Sequence, residues 1–235
     1  MNTKVEMTRD QLTKYLDANP FEQLNKIVFS LLFDDITTLN IAPDTKLNVA
    51  QIATDLNISR TPVTEAIKML YNIGFVETLP NKSGFYVASI KHQEIVKLYA
   101  ARDMIESTAA YLCAALHPCP NIQELEKFAY DYQEAFLTKD YEIIKNVDIP
   151  FHQLIVDSCA NTYVQQCYDS LKKQIQRYQW YSVKISRTDI ENPIRQELVP
   201  QHMAIVNAIK LFLPDTAKQM MSNHISSCLK YTILR

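Results

Sequence analysis

One carboxylate and three histidines in the C-terminal half of this 235-residue chain are the side chains best suited to chemistry. Asp148 and His152 are four residues apart and would share one face of a helix, and His202 and His224 fall on later predicted helices. A carboxylate with three imidazoles suits Zn, Ni, Mn or Fe, and helical bundles commonly hold metals with such side chains. The alternative interpretation is that Asp148 caps a helix and the histidines pack in the interior.

A second candidate group is an arginine on the first C-terminal helix. Arg102 lies four residues before Glu106, and an inward-facing guanidinium would hold a carboxylate through paired hydrogen bonds. The spacing favours the alternative, an ion pair with Glu106 on the helix surface. The aromatic-rich stretch that begins at Arg177 either lines a pocket or packs in a core or a dimer interface.

The sequence lacks the motifs of common enzyme classes. It has only two glycines, which excludes both the dinucleotide-binding and the phosphate-loop patterns. We find no zinc-peptidase pair, no nucleophile elbow and no C-x-x-C. We therefore expect a protein that is not an enzyme, with cysteines that act as small buried apolar side chains.

The net charge and the hydropathy of the chain limit its possible binding partners and its location in the cell. Lys and Arg number 24 and Asp and Glu 26, for a net charge of −2, so any contact with nucleic acid must be a local patch. The apolar runs are far shorter than the roughly 20 residues that a membrane helix needs. The N-terminus is polar and unlike a signal peptide. We expect a cytoplasmic protein with no membrane association.

The first 90 residues predict helices followed by a hairpin. Apolar residues recur at helical spacing over 24–32 and over 49–56, a third helix follows, and alternation predicts strands over 75–79 and 85–87. Thr61 is the expected cap of the third helix and Gly74 its end. Three helices and a hairpin outline a winged helix-turn-helix, in which Arg60, Thr61 and Thr64 reach base edges. The alternative is a helical domain that does not bind DNA.

Beyond residue 90 the pattern is helical throughout. The predicted helices cover 92–116, 122–138, 141–160, 163–185, 194–212 and 216–233. The predicted fold is therefore mainly α, with an N-terminal winged helix-turn-helix and a C-terminal all-α bundle. The predicted domains are a 1–19 extension, which is an arm or an added helix, a 20–90 DNA-binding domain and a 91–235 domain for effector and metal binding and dimerisation.

Two segments carry a family resemblance that covers residues 20–233. The run Ser59-Arg60-Thr61-Pro62-Val63, followed by Glu65-Ala66, resembles the GntR family of bacterial transcription regulators. The C-terminal half resembles the FadR-type ligand-binding domain of that family, called FCD. The matching residues there are Asp148, Phe151, His152, Asn161, Gln201, His202, His224 and Ile225.

The resemblance implies a homodimer that binds a two-fold symmetric DNA operator and responds to a small carboxylate. It implies a divalent metal, zinc before nickel, manganese or iron, held by Asp148, His152, His202 and His224. The effector-binding residues expected from it are Arg102, Asn161 and Arg177. The expected DNA-binding residues are Ser59, Arg60, Thr61, Thr64, Lys68, Lys82 and Gly84.

Two positions depart from the family pattern. Ala50 and Thr64 stand where relatives have arginines that contact DNA, which leaves Arg60 as the arginine at this end of the third helix. Family rules for the operator sequence therefore do not transfer to this chain. Three other functions stay open: a metal sensor without an organic effector, a metal-dependent hydrolase or lyase that retains a helix-turn-helix, and a fatty acyl-CoA responsive regulator.

Overall fold

A computed structural model describes residues 7–138, 141–186 and 193–233. Its contacts divide the chain into two units, Met1–Ile90 and Lys91–Arg235. Both units are mainly helical, as predicted, and a small sheet lies in the first. None of the helices in the described ranges is both long enough and apolar enough to cross a bilayer.

The first unit is a winged helix-turn-helix with an added helix. Its elements are α1 (Arg9–Ala18), α2 (Leu24–Thr37), β1 (Lys46–Leu47), α3 (Val49–Leu56), α4 (Arg60–Asn72), β2 (Val76–Glu77) and β3 (Phe85–Val87). The sheet is antiparallel in the order β1-β3-β2, and Lys46 pairs with Tyr86. The extension thus holds a helix, α1, which Thr8 and Gln11 begin with a capping box. Strand β1 was not predicted, because two residues are too few to show alternation.

Helix α4 is held by the apolar face that its spacing predicts. Val63, Ala66, Ile67 and Leu70 are all fully buried in one core. The predicted start at Thr61 is wrong: α4 begins at Arg60, and the capping position is Ser59, whose backbone is extended. Pro62 fits this start because the first-turn N–H groups of a helix have no intrahelical partner.

The second unit is an all-α bundle. Its helices are α5 (His92–Ala115), α6 (Ile122–Leu137), α7 (Tyr141–Ser158), α8 (Thr162–Ser186), α9 (Pro193–Leu198), α10 (Gln201–Lys210) and α11 (Pro214–Ile233). The single helix predicted over 194–212 is wrong, since the chain turns at Val199 and Pro200 between α9 and α10. A proline lacks the N–H that would continue a helix and disfavours helical backbone in the residue before it.

Helices α5 and α7 occupy the middle of this bundle. Helix α5 packs against α7, α8, α10 and α11, and α7 also packs against α6 and α8. Helix α7 continues through Pro150, so the interpretation of Asp148 as a helix cap is wrong. The inward faces of α5, α7, α10 and α11 therefore meet in one interior region.

Candidate functional site

Four predicted side chains converge in the interior of the bundle. Asp148 and His152 come from α7, His202 from α10 and His224 from α11, and their donor atoms all lie within 4.8 Å of one another. The Nε2 atoms of His152 and His224 are 3.2 Å apart. Asp148 Oδ1 lies 3.5 Å from His202 Nε2 and 3.9 Å from His152 Nε2. The spacing that suggested a shared face thus corresponds to one compact group of donors, here called the quartet.

Burial keeps two of the imidazoles uncharged. Burial and the neighbouring histidines lower the pKa of His202 and of His224 well below its usual value. Both ring nitrogens of His202 are buried and have no hydrogen-bond partner among the described residues. The ring instead lies against Tyr132 and Phe151, with centroids 4.2 Å away in each case. A neutral, buried imidazole with a free lone pair is a ready metal ligand.

Outer residues orient the other two histidines. Glu106 Oε2 lies 2.6 Å from His152 Nδ1, and Gln201 Oε1 lies 3.0 Å from His224 Nδ1. Both oxygens are acceptors, so these neighbours favour the tautomer with the proton on Nδ1 and the lone pair on Nε2. In that tautomer the two lone pairs face each other across 3.2 Å, an arrangement that a cation between them would stabilise.

The donor set and its spacing fit a divalent metal. Zinc binds histidine nitrogen at about 2.0 to 2.1 Å, so neighbouring ligands in a tetrahedral site lie roughly 3.3 Å apart. The quartet has separations of 3.2, 3.5 and 3.9 Å. Gln179 Nε2 also donates to Asp148 Oδ2 at 3.1 Å, which leaves Oδ1 facing the histidines.

Arg102 lies beside the quartet in a buried ion pair. Its Nε donates to Glu106 Oε1 at 2.7 Å, and Nη2 lies 3.4 Å from Oε2. The expected pairing with Glu106 is present, but its expected place on the helix surface is wrong, since both side chains are almost fully buried. Burial alone would raise the pKa of Glu106, yet the charge of Arg102 and the contact with His152 lower it to about 2.

A cavity of about 50 Å³ opens beside these groups. Arg102, Asp148, His152, Gln179 and Cys228 are among its lining residues. By the usual measure of about 10 to 15 Å³ for each water-sized position, the space accommodates a few water molecules or a very small ligand.

The other two expected effector residues lie elsewhere. Asn161 Oδ1 accepts the backbone N–H groups of Tyr163 and Val164 at 3.0 and 3.2 Å, so it acts as the cap of α8. Arg177 is buried on α8. In the described part of the chain, neither side chain is among those that line the cavity.

Four residues around the quartet were not predicted as parts of the site: Glu106, Gln179, Gln201 and Cys228. For two of them the spacing held a partial signal, because Gln201 precedes His202 directly and Cys228 follows His224 by one helical turn.

The prediction of buried cysteines is wrong for two of the five. Cys228 is only half-buried and Cys167 is exposed.

The expected DNA-contacting residues form a surface of the first unit. Six of them are exposed: Ser59, Arg60, Thr61, Lys68, Lys82 and Gly84. Thr64 is half-buried, and its hydroxyl donates to the Arg60 carbonyl at 3.0 Å. Arg60 is thus the first residue of an exposed helix end, which is where helix-turn-helix proteins read base edges.

Two lysines lie near Tyr86 of β3, where the sequence predicted one DNA-contacting lysine. Lys46 and Lys82 each place Nζ 5.9 Å from the centre of the Tyr86 ring. Gly84 has φ of +101°, and a Cβ there would lie 3.1 Å from Lys46 Cε. Lys46 was missed because it lies on β1, outside the predicted hairpin. Both ammonium groups are exposed and suited to contact phosphates.

Comparisons with known proteins agree with these two units. Residues 24–87 match the family described as bacterial regulatory proteins, gntR family, and residues 97–227 match the FCD domain. The HTH-type transcriptional repressor RspR of Escherichia coli (strain K12) is 25% identical over 214 residues, which cover 91% of each chain.

Solved structures share the fold. A GntR transcriptional regulator from Rhodococcus sp. RHA1 superposes with a TM-score of 0.69 at 18% identity, over 89% of this chain and 97% of that one. McbR/YncC of E. coli gives a TM-score of 0.68 at 19% identity, over 88% of this chain and 95% of that one. At these identities the likeness concerns the fold alone.

Proposed function

Because this chain belongs to the GntR family of bacterial regulatory proteins and carries an FCD domain, we propose that a small carboxylate and a divalent metal control its affinity for DNA. The chain is a DNA-binding transcription regulator and not an enzyme, as its matched domains and its relatives indicate. The proposal adds three finer points, which are the metal, the effector class and a homodimer on a two-fold operator. It also places the protein in the cytoplasm, in keeping with five cysteines that form no disulfide.

One observation carries the metal site. The Nε2 atoms of His152 and His224 lie 3.2 Å apart inside the bundle, and the acceptor oxygens of Glu106 and Gln201 lie beside their Nδ1 atoms. Asp148, His152, His202 and His224 would hold the ion, and zinc fits this set first. A five- or six-coordinate ion would keep one or two positions free of these four ligands, and the metal would there supply a Lewis acid for a carboxylate oxygen.

The effector class follows from the positive charge beside the quartet. Arg102 borders the cavity together with Asp148 and His152. Glu106 accepts hydrogen bonds from two nitrogens of Arg102. A guanidinium has five N–H donors, so the remaining donors of Arg102 are available for a ligand. A small carboxylate is an anion of a few atoms that can reach Arg102 and the metal together. Asn161 and Arg177 are retained only as more distant contributors to effector binding.

The DNA-binding part of the proposal depends on Arg60. Its position at the exposed start of α4 allows it to reach a guanine edge in the major groove. Ser59, Thr61, Thr64 and Lys68 complete the surface of α4, and Lys82 and Gly84 that of the hairpin. A two-fold operator then follows from a homodimer, since symmetric half-sites match symmetric subunits.

A second function is favoured by the size of the cavity. A volume of about 50 Å³ beside an arginine already paired with Glu106 leaves little room for an organic ligand. A regulator that senses the metal itself needs no such room. The two functions differ in one observable. In a metal sensor, removal of the metal alone would switch DNA binding.

Elemental analysis of untagged protein, purified without chelator, tests the metal site. We expect about one metal per chain in the wild type and none in His202→Ala. His117→Ala is the matched control, because His117 is exposed and its ring lies 4.0 Å from that of Phe212. Absence of metal from the wild type, even after loading with zinc or nickel, would reduce the quartet to packing residues.

A further inference from the structure

Cys228 carries a thiol that the proposed function does not use. It lies on α11 one turn after His224, so the two side chains share a face. Its Sγ is 3.5 Å from His224 Nε2, the atom that points at His152. Cys228 also lines the cavity that Asp148 and His152 border. The thiol is therefore at the edge of the quartet and not on the outer face of α11.

The distance matches two ligands of one ion. Zinc binds thiolate at about 2.3 Å and histidine nitrogen at about 2.0 to 2.1 Å, which places neighbouring ligand atoms of a five-coordinate ion roughly 3.1 to 3.8 Å apart. The observed separation of Sγ from His224 Nε2 is 3.5 Å. A thiol hydrogen bond to that nitrogen is the other interpretation of the contact.

A second observation points to a ligand at the same place. His202 is fully buried, and its Nε2 has no hydrogen-bond partner among the described residues. That nitrogen lies 3.5 Å from Asp148 Oδ1, on the inner side of the quartet. A thiol hydrogen bond to His224 would leave His202 without a partner, whereas an ion would engage both.

We propose that Cys228 is a further metal ligand, a thiolate that adds one sulfur to the three nitrogens and one oxygen of the quartet. The inference depends on the metal site of the proposed function. On binding, the thiol S–H bond breaks, its proton passes to solvent, and the sulfur lone pair forms the bond to the metal. Five protein donors would fill a five-coordinate ion, so a carboxylate oxygen would take a sixth position.

The sulfur would change which metal the site prefers. Thiolate is a soft ligand that favours zinc and cobalt, whereas manganese favours oxygen donors. The ratio of zinc affinity to manganese affinity should therefore be higher in the wild type than in Cys228→Ser. A serine hydroxyl is nearly the same size but is a hard, weak ligand.

Cobalt absorption tests the proposal on the full chain. Cobalt-loaded wild type should show sulfur-to-cobalt charge transfer in the near ultraviolet, with cobalt content measured on the same sample. Cys228→Ser should keep its cobalt and lose this absorption, and Cys228→Ala provides a second variant if the serine perturbs folding. Cys167→Ser, which changes an exposed cysteine on α8, should retain the absorption.

The outcomes separate this inference from the metal site itself. Cobalt bound without charge transfer in the wild type, or charge transfer that persists in Cys228→Ser, would overturn the role of Cys228 and leave the quartet intact. Failure of the wild type to take up cobalt or zinc would instead overturn the metal site and this inference with it.

Discussion

The carboxylate of Glu106 lies 2.6 Å from Nδ1 of His152, and both side chains are almost fully buried. The contact favours the tautomer of His152 with its proton on Nδ1 and its Nε2 lone pair toward the quartet. The same carboxylate accepts a hydrogen bond from Arg102 at 2.7 Å. Glu106 thus joins the residue proposed to bind the effector to a residue proposed to bind the metal, and this contact underlies the first prediction.

Glu106→Gln should weaken metal binding without removing a ligand. Loss of an outer carboxylate typically lowers metal affinity by about 10 to 100-fold. The substitution also leaves Arg102 buried without its counter-charge, which should lower the free energy of unfolding by about 3 to 5 kcal/mol. Zinc competition with a chromophoric chelator and urea unfolding of the metal-free protein measure the two effects. Glu124→Gln, on the exposed first turn of α6, is the control; equal zinc affinity in both variants would contradict the prediction.

Metal loading should raise the stability of the protein. An ion that binds only the folded chain, present at 100 times its Kd, adds about 2.7 kcal/mol to the free energy of unfolding. Thermal unfolding with zinc, and again after addition of a chelator, should show this gain and its loss. His202→Ala should show no response to zinc, and a gain equal to that of the wild type would argue against the quartet.

Arg60→Ala should abolish specific DNA binding. Arg60 is the arginine at the exposed start of α4, and a bidentate arginine–guanine contact contributes about 1 to 3 kcal/mol of discrimination. An operator chosen by in vitro selection with the wild-type protein supplies the probe. Gel-shift titration should show only weak, sequence-independent binding by the variant, and unchanged operator affinity would rule out this role for Arg60.

Lys46→Ala should act differently from Arg60→Ala. Lys46 on β1 and Lys82 between β2 and β3 each lie near the Tyr86 ring, and phosphate contacts carry no sequence information. Lys46→Ala and Lys82→Ala should each weaken binding to all DNA sequences alike. Each should also reduce the salt dependence of DNA binding by about one ion. Fluorescence anisotropy at several salt concentrations measures this slope. A change of sequence preference would show that these lysines read bases.

Periodicity along the chain was enough to predict the main elements. The spacing of Val63, Ala66, Ile67 and Leu70 predicted the buried face of α4, and all four are buried. Helix boundaries were less well predicted where a single residue such as proline determines them. The pattern over 194–212 is helical in its apolar residues, but Pro200 interrupts the hydrogen-bond ladder.

Local spacing predicted only those relationships in the site that lie within one helix. The four-residue separation of Asp148 and His152 follows from helix geometry and needs no knowledge of the fold. The contact of Glu106 with His152 joins α5 to α7, so it depends on the packing of two helices that the sequence leaves open. The same holds for Gln179 and Asp148, which come from α8 and α7.

The most direct test of the proposed function is the operator affinity of the zinc-loaded protein with and without small carboxylates. Anisotropy titrations with acetate, lactate, malate and citrate, repeated on metal-free protein, would be compared at equal ionic strength. We expect at least one acid to change operator affinity about 5 to 150-fold, the usual range of allosteric coupling, and only when zinc is present. No acid effect, with DNA binding that switches on zinc removal alone, would contradict the carboxylate and leave a metal sensor.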